Sequence, residues 1–325
     1  MASTATLAAP HAHAAPAKEP TGLWSWITTV DHKRIGIMYG ILAIVAAAPA
    51  SPQRVTIVGA AERFAPGIAS TGYSEIRLTI SRDGRTALWF SRDQPGGAGG
   101  YDIWMSRRIL RGWEPAQPVP FNSKGRDFDP AFSADGRYVY FCSDRPGGAG
   151  GDDIYRVPVH GTGFGIPVNL GPHVNSAGAE FAPMLSPDGS TLLFSSDRPG
   201  GAGGHDLLTA KWAADGFAPA APLAGDINTA ANEFDATFLR DGATIVFARA
   251  MDFRKDRIDL FHSTPQRGRY GAGAVLPASI NNERDTYGPM LDWSGPDRLT
   301  FSGRRDGAAT MDLYRIRYRL EPAGE

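Results

Sequence analysis

The chain has 325 residues, 42% hydrophobic and 21% charged, enough to bury a large core. Its 33 basic and 34 acidic residues nearly cancel, and no basic cluster interleaved with aromatics offers a footprint for nucleic acid; that class of partner is excluded. The single cysteine, Cys142, excludes a disulfide within the chain.

The first fifty residues differ from the rest. Ala2 to Pro20 form a low-complexity Ala/Pro tract in which His11 and His13 read as solvated side chains. The segment Thr21-Gly-Leu-Trp-Ser-Trp-Ile-Thr-Thr-Val-Asp-His-Lys-Arg-Ile-Gly-Ile-Met-Tyr-Gly-Ile41 resembles the start of bacterial cytochrome c oxidase subunit I as it enters its first membrane helix. None of that family's further membrane helices or metal-holding histidines follows, so the resemblance implies a fused or misassembled leader and no oxidase activity. Lys33 and Arg34 precede an apolar run from Ile35 to Ala48, and Ala48-Pro49-Ala50 before Ser51 reads as a small-residue cleavage site. The run is shorter than the roughly 20 residues a spanning helix needs. A cleaved export signal is the favoured reading and an uncleaved anchor the alternative, which divides the chain into a leader, 1–50, and a domain, 51–325.

From Val55 to Leu320 the apolar residues alternate or come in short runs broken by Gly, Pro, Asp and Asn, which predicts an all-β body. Arg63-Phe64-Ala65-Pro66 resembles part of a later unit, Gly216-Phe217-Ala218-Pro219. The phrase Asp-Arg-Pro-Gly-Gly-Ala-Gly-Gly, or a variant of it, then recurs, and the Asp that closes each unit falls at Asp102, Asp153, Asp206, Asp259 and Asp312, in steps of 51, 53, 53 and 53. A period of this length signals a solenoid or propeller. In the third unit Glu180 to Ser186 and Thr191 to Ser195 flank the hairpin turn Asp188-Gly189. A third strand starts at Asp206, and a fourth lies around Phe217 to Leu223. Four strands per unit make a propeller blade. An aromatic residue lies eleven positions after the repeat Asp, at Trp113, Phe164, Phe217 and Tyr270, but the same offset from Asp312 reaches Ala323. The last blade therefore lacks an outer strand, and the N-terminal strand is expected to complete it and close the ring. The predicted fold is a five-bladed β-propeller, with six blades as the alternative.

Ser133 to Tyr155 read Ser-Ala-Asp-Gly-Arg-Tyr-Val-Tyr-Phe-Cys-Ser-Asp-Arg-Pro-Gly-Gly-Ala-Gly-Gly-Asp-Asp-Ile-Tyr. This pattern resembles the WD-like β-propeller repeat of TolB-like proteins and of envelope proteins carrying OmpA-type domains, over roughly residues 60 to 320. The resemblance implies a periplasmic or exported, non-catalytic scaffold that binds a protein or peptide of the cell envelope. The alternative is a propeller that binds or hydrolyses glycans with rim carboxylates, a chemistry that needs two carboxylates flanking a sugar. Trp113 and Tyr270 are candidate sugar platforms, although their repeat positions favour packing.

The Gly-rich loops lie between strands, whereas a phosphate cradle needs a following helix, so no cofactor is expected. The repeat Asp residues read as structural, accepting loop amides, with Arg145 and Arg198 as their ion-pair partners. Cys142, aligned with Ser195, reads as a small core residue. Glu75, Asp127, Glu180 and Glu233 recur at the entry to each first strand, with Asp285 displaced by one, and should ring the loop-rich face. They are read either as a binding rim that focuses negative potential or as interblade hydrogen-bonding groups. Departures from the repeat are stronger binding candidates, because blade packing does not require them. His205 replaces Tyr101 and Asp152, and His173 enters the same blade; with Glu180 they would suffice for zinc if they converge, the competing reading being separate surface histidines. In the fourth blade Arg254-Lys255-Asp256-Arg257 replaces the glycines of the loop with charge, suited to a partner contact or a solvated loop.

Overall fold

The computed structural model describes residues 53–282, 284–305 and 307–322. The oxidase-like segment and the signal-like run lie outside the described residues. Among the described residues no helix is long and apolar enough to cross a membrane.

The chain opens with a long strand, β1 (Gln53–Arg63), and then forms its first blade from β2 (Glu75–Ile80), β3 (Thr86–Arg92), β4 (Tyr101–Ile109) and a two-part outer edge, β5 (Gly112–Trp113) and β6 (Gln117–Pro118). The second blade runs β7 (Asp127–Phe132), β8 (Tyr138–Ser143), β9 (Asp153–His160), β10 (Gly163–Phe164) and β11 (Val168–Asn169). The third runs β12 (Glu180–Leu185), β13 (Thr191–Ser196), β14 (Asp206–Ala213), β15 (Gly216–Phe217) and β16 (Ala221–Pro222). The fourth is β17 (Asn232–Phe238), β18 (Ile245–Ala250), β19 (Asp259–Ser263) and β20 (Ala274–Val275); the fifth begins with β21 (Thr286–Leu291), β22 (Arg298–Gly303) and β23 (Asp312–Pro322). All neighbours within a blade are antiparallel, and β1 joins β23 as the outer strand of the fifth sheet. The protein is a five-bladed β-propeller closed by its N-terminal strand.

That closing strand sits in a register other than the one Arg63-Phe64-Ala65-Pro66 suggested. In every blade an outer-strand amide donates to the carbonyl one residue after the repeat Asp, from Val119, Leu170, Leu223, Leu276 and, in the fifth, Phe64. Phe64 thus occupies the place of Leu223, not of Phe217. The place of Phe217, opposite Trp212, falls to Ile57, opposite Tyr318.

The turns follow their residues. Asp188 Oδ1 accepts from the Ser190 amide at 3.0 Å and the Ser186 hydroxyl at 2.5 Å, while Gly189 supplies the positive φ of 73° that ends the turn. Strand alternation buries apolar residues between blades, among them Leu88, Phe141, Phe194 and Phe301, with Cys142 in the same core, while Phe247 belongs to a second cluster with Leu193 and Phe238.

Candidate functional site

Antiparallel pairing puts the Gly-rich loops between second and third strands on one face, together with the loops that enter each first strand. The two loop sets touch across blades: the Gly151 amide donates to Gly178 O at 2.8 Å, and Gly204 to Ala231 O at 3.3 Å. The repeat Asp holds the loop's shape. Asp102, Asp153 and Asp206 accept the amides of Ala98, Ala149 and Ala202 at 3.0, 2.6 and 2.9 Å. Where the glycines are missing, arginine substitutes: Arg257 pairs with Asp259 at 2.6 Å and Arg63 with Asp312 at 2.7 Å.

The entry acids are fully buried rather than displayed on the face: Glu75, Asp127, Glu180 and Glu233 are each 0% exposed. Glu180 accepts the Ser176 amide at 2.7 Å and hydroxyl at 2.6 Å, and Glu233 does the same with Thr229. Arginine then neutralises them, Arg145 on Asp127 at 2.5 Å, Arg198 on Glu180 at 3.1 Å and Arg249 on Glu233 at 2.7 Å. Arg145 and Arg198 therefore pair with the entry acids, not with the repeat Asp residues. A buried carboxylate is tolerated only when paired and bonded in this way. The same entry residues link blades, since the amides of Glu180, Glu233, Thr286 and Glu75 donate to Asp152, His205, Ile258 and Met311 of the blade before. In the fifth blade Thr286 takes the acid's register, and Asp285 faces Arg304 at 3.5 Å.

The end blades split the pair. Glu75 has Asp93 where the middle blades place Arg145 and Arg198, and burial pushes its carboxyl up from 4.5 to about 7 against the lowering effect of Thr71. Asp152, beside Arg126 at 2.8 Å, is likewise pushed up to about 6, mainly by burial.

The histidines do not converge. His205 lies at the mouth of the ring, its Nδ1 2.9 Å from Asn232 Oδ1 and its ring against Phe181 and Phe253, with centroids 5.2 and 5.7 Å away. His173 packs on the outer strand of the third blade, Nδ1 2.7 Å from Phe217 O. Glu180 is spent on Ser176 and Arg198. Among the described residues no group of three His, Cys, Asp or Glu side chains is placed to hold a metal ion. Trp113 packs edge-on against Phe64, and Tyr270 donates its hydroxyl to Ala243 O at 2.7 Å, so both serve outer-strand packing.

Arg254 and Lys255 belong to the loop after β18, where Lys255 pairs with Asp252 at 2.8 Å and Arg254 lies over the Phe253 ring. Phe253, 42% exposed, and Met251, 66% exposed, stand beside them. Phe253 also meets Phe234 at 6.0 Å, so an aromatic cluster of Phe181, His205, Phe234 and Phe253 continues outward into the exposed loop. The sequence signal for it was the same loss of glycines that singled out the two cations.

The axis holds a constellation that the repeat concealed. All five first strands bulge two residues after the entry position, at Arg77, Asp129, Ala182, Asp235 and Gly288, where φ runs from 49° to 64°. Arg77 fills the axis: its Nε is 3.8 Å from Asp129, its Nη1 3.6 Å from Asp235, and its Nη2 donates to Pro183 O at 3.2 Å. Gly288 makes this possible, because a Cβ there would lie 3.0 Å from Arg77 Cγ. Burial, then the charge of Asp235, raises Asp129 well above the ordinary carboxylate range; burial also raises Asp235. One guanidinium between two such acids forms a closed structural plug. Three charges at one position of the first strands, beyond the entry acids, were the available sequence signal.

No protein-family profile matches the chain, and no curated protein matches it in sequence. Among solved structures it is similar to a thermostable family-43 glycoside hydrolase, with TM-score 0.52 and 8% identity over 81% of this chain and 96% of that one. An endo-arabinase from Bacteroides thetaiotaomicron has TM-score 0.51 and 15% identity over 81% and 98% of the two chains. A putative TolB from Agrobacterium tumefaciens follows with TM-score 0.49 and 16% identity over 83% and 88%. For TolB from Acinetobacter baumannii the TM-score is 0.48 and the identity 15%; the match covers 75% of this chain and about half, 52%, of that one. At these identities the glycosidase likenesses show shared fold and nothing of activity.

Proposed function

We propose that this propeller is a non-enzymatic binding scaffold of the cell envelope that recognises a protein or peptide on its loop-rich face, around His205, Phe253, Arg254 and Lys255. One observation carries the reading: the fourth blade gives up the Gly-rich loop and presents exposed Met251 and Phe253 beside two cations. An aromatic anchor next to charge is the composition of binding hot spots. The signal-like run after Lys33 and Arg34 supports export. Against hydrolysis by rim carboxylates stands the burial of Asp127, Glu180 and Glu233, each already neutralised by arginine, because a glycosidase acid must reach the sugar.

Photo-crosslinking tests this. With a benzophenone amino acid at Phe253 in the full chain, a discrete adduct should form in envelope extract and be lost when Arg254 and Lys255 are both changed to Glu. A probe at Leu110, on the outer edge, should not give that adduct. No adduct from position 253, or turnover of aryl glycosides by the purified chain, refutes the assignment.

A further inference from the structure

We propose that a groove between the second and third blades, on the face opposite the Gly-rich loops, binds an acidic saccharide, a sugar chain bearing carboxylates. This site is separate from the loop-rich face. The groove encloses about 380 Å³, room for a sugar unit by the usual size of small-molecule sites. Two of its residues, Tyr138 and Tyr140, break the repeat, and a third, Trp212, has an aromatic counterpart only in the fifth blade. Tyr138 stands where the other blades carry Thr86, Thr191, Thr244 and Arg298; Tyr140 stands where they carry Leu88, Leu193, Val246 and Thr300; Trp212 stands where the first, second and fourth blades carry Arg108, Val159 and Pro265 and the fifth carries Tyr318. Tyr140 is a core residue, 4% exposed, whereas Trp212 is left open to solvent, and no other blade brings this combination together. The adjoining groove between the third and fourth blades has Thr191 and Thr209 at the places of Tyr138 and Arg156.

The guanidinium of Arg156 lies over both rings, 5.0 Å from the centroid of Tyr138 and 5.3 Å from that of Trp212. Its counterpart at the same strand position of the fifth blade is Arg315, which pairs with Asp292 at 2.6 Å. The second blade has Ser133 at the place of Asp292, and the nearby Asp135 is taken by Arg137 at 2.5 Å. Arg156 thus keeps the cation without its carboxylate, fixed in orientation by two aromatic faces. A planar guanidinium held in this way is suited to accept a carboxylate from a ligand. Trp212, 44% exposed, offers a flat indole on which the C–H face of a pyranose packs. Asp188, at the groove edge, already accepts from Ser186 and Ser190 and retains lone pairs for sugar hydroxyls.

Calorimetric titration of the full chain with tetragalacturonate, cellotetraose and tetraglutamate tests the site. Tetragalacturonate should bind saturably, and Trp212→Ala and Arg156→Gln should each weaken it by about tenfold or more. Tyr138→Thr, which installs the neighbouring blades' residue, should weaken it in the same direction with an unchanged thermal transition, separating loss of contact from loss of fold. Both control ligands should bind at least about tenfold more weakly. Absence of saturable binding, cellotetraose bound equally well, tetraglutamate bound equally well, or unchanged affinity in Trp212→Ala would each overturn the proposal.

Discussion

Glu75 is the carboxylate that the ring leaves without an arginine. Its Thr71 turn supplies the same local bonds that Ser176 gives Glu180, but the neutralising cation is missing, so burial dominates and lifts the carboxyl from 4.5 to about 7. The folded chain then holds a proton that the unfolded chain has lost. Stability from this group is complete below about pH 4.5 and is lost as pH rises through 7, by about 3 kcal/mol in all. Glu75→Gln, which keeps the shape and needs no proton, should flatten the fall in urea-unfolding free energy between pH 5 and 8. An equal slope in wild type and variant would place the titrating group elsewhere.

The unit of construction is the Gly-rich loop pressed against the next blade's entry loop. At Gly203 a Cβ would lie 1.9 Å from Ala231 O and 2.5 Å from Thr229 O, both backbone atoms that cannot swing aside, whereas at Gly100 nothing lies within 4 Å. Gly203→Ala should therefore cost about 2–3 kcal/mol and Gly100→Ala within about 0.5 kcal/mol of nothing, measured by chemical unfolding; similar costs at the two sites would contradict this contact. Such elements were legible in the sequence because Asp-Gly turns and the Asp-closed loops repeat their chemistry in successive units. The entry acids were legible as positions but not in their burial, since a carboxylate spaced for a rim is also spaced to cap its own Ser or Thr turn. The axial plug was less visible still. Arg77, Asp129 and Asp235 meet only because every first strand bulges two residues after its entry position, and that bulge has no residue signature: it accommodates Arg, Asp, Ala and Gly alike.

At the scale of the ring, one strand decides whether the molecule has an open edge. β1 pairs with β23 from Gln53 opposite Pro322 to Arg63 opposite Tyr314, interrupted by a bulge between Val58 and Glu62, and it buries Val55 in the core. Arg63 on Asp312 and Thr56 on Glu321 fasten it at both ends. The N-terminal closure was readable from the missing outer strand after Asp312, whereas its register was not, because outer strands carry few repeated residues and the local likeness of Phe64 to Phe217 outweighed the ladder. Cleavage after Ala50, the site expected from the sequence, would leave this strand whole, since it begins at Gln53. Deleting residues 1–63 should strip β23 of its partner and expose a long edge that recruits other chains. The expected loss is about 3 kcal/mol or more, corresponding to a fall of about 6–12 °C in the midpoint for a domain of this size, together with self-association in sedimentation. A synthetic peptide of residues 53–63 added in trans should restore both the midpoint and the monomer. A truncated chain that stays monomeric at the wild-type midpoint would show that the four remaining blades and the three-stranded fifth close without β1.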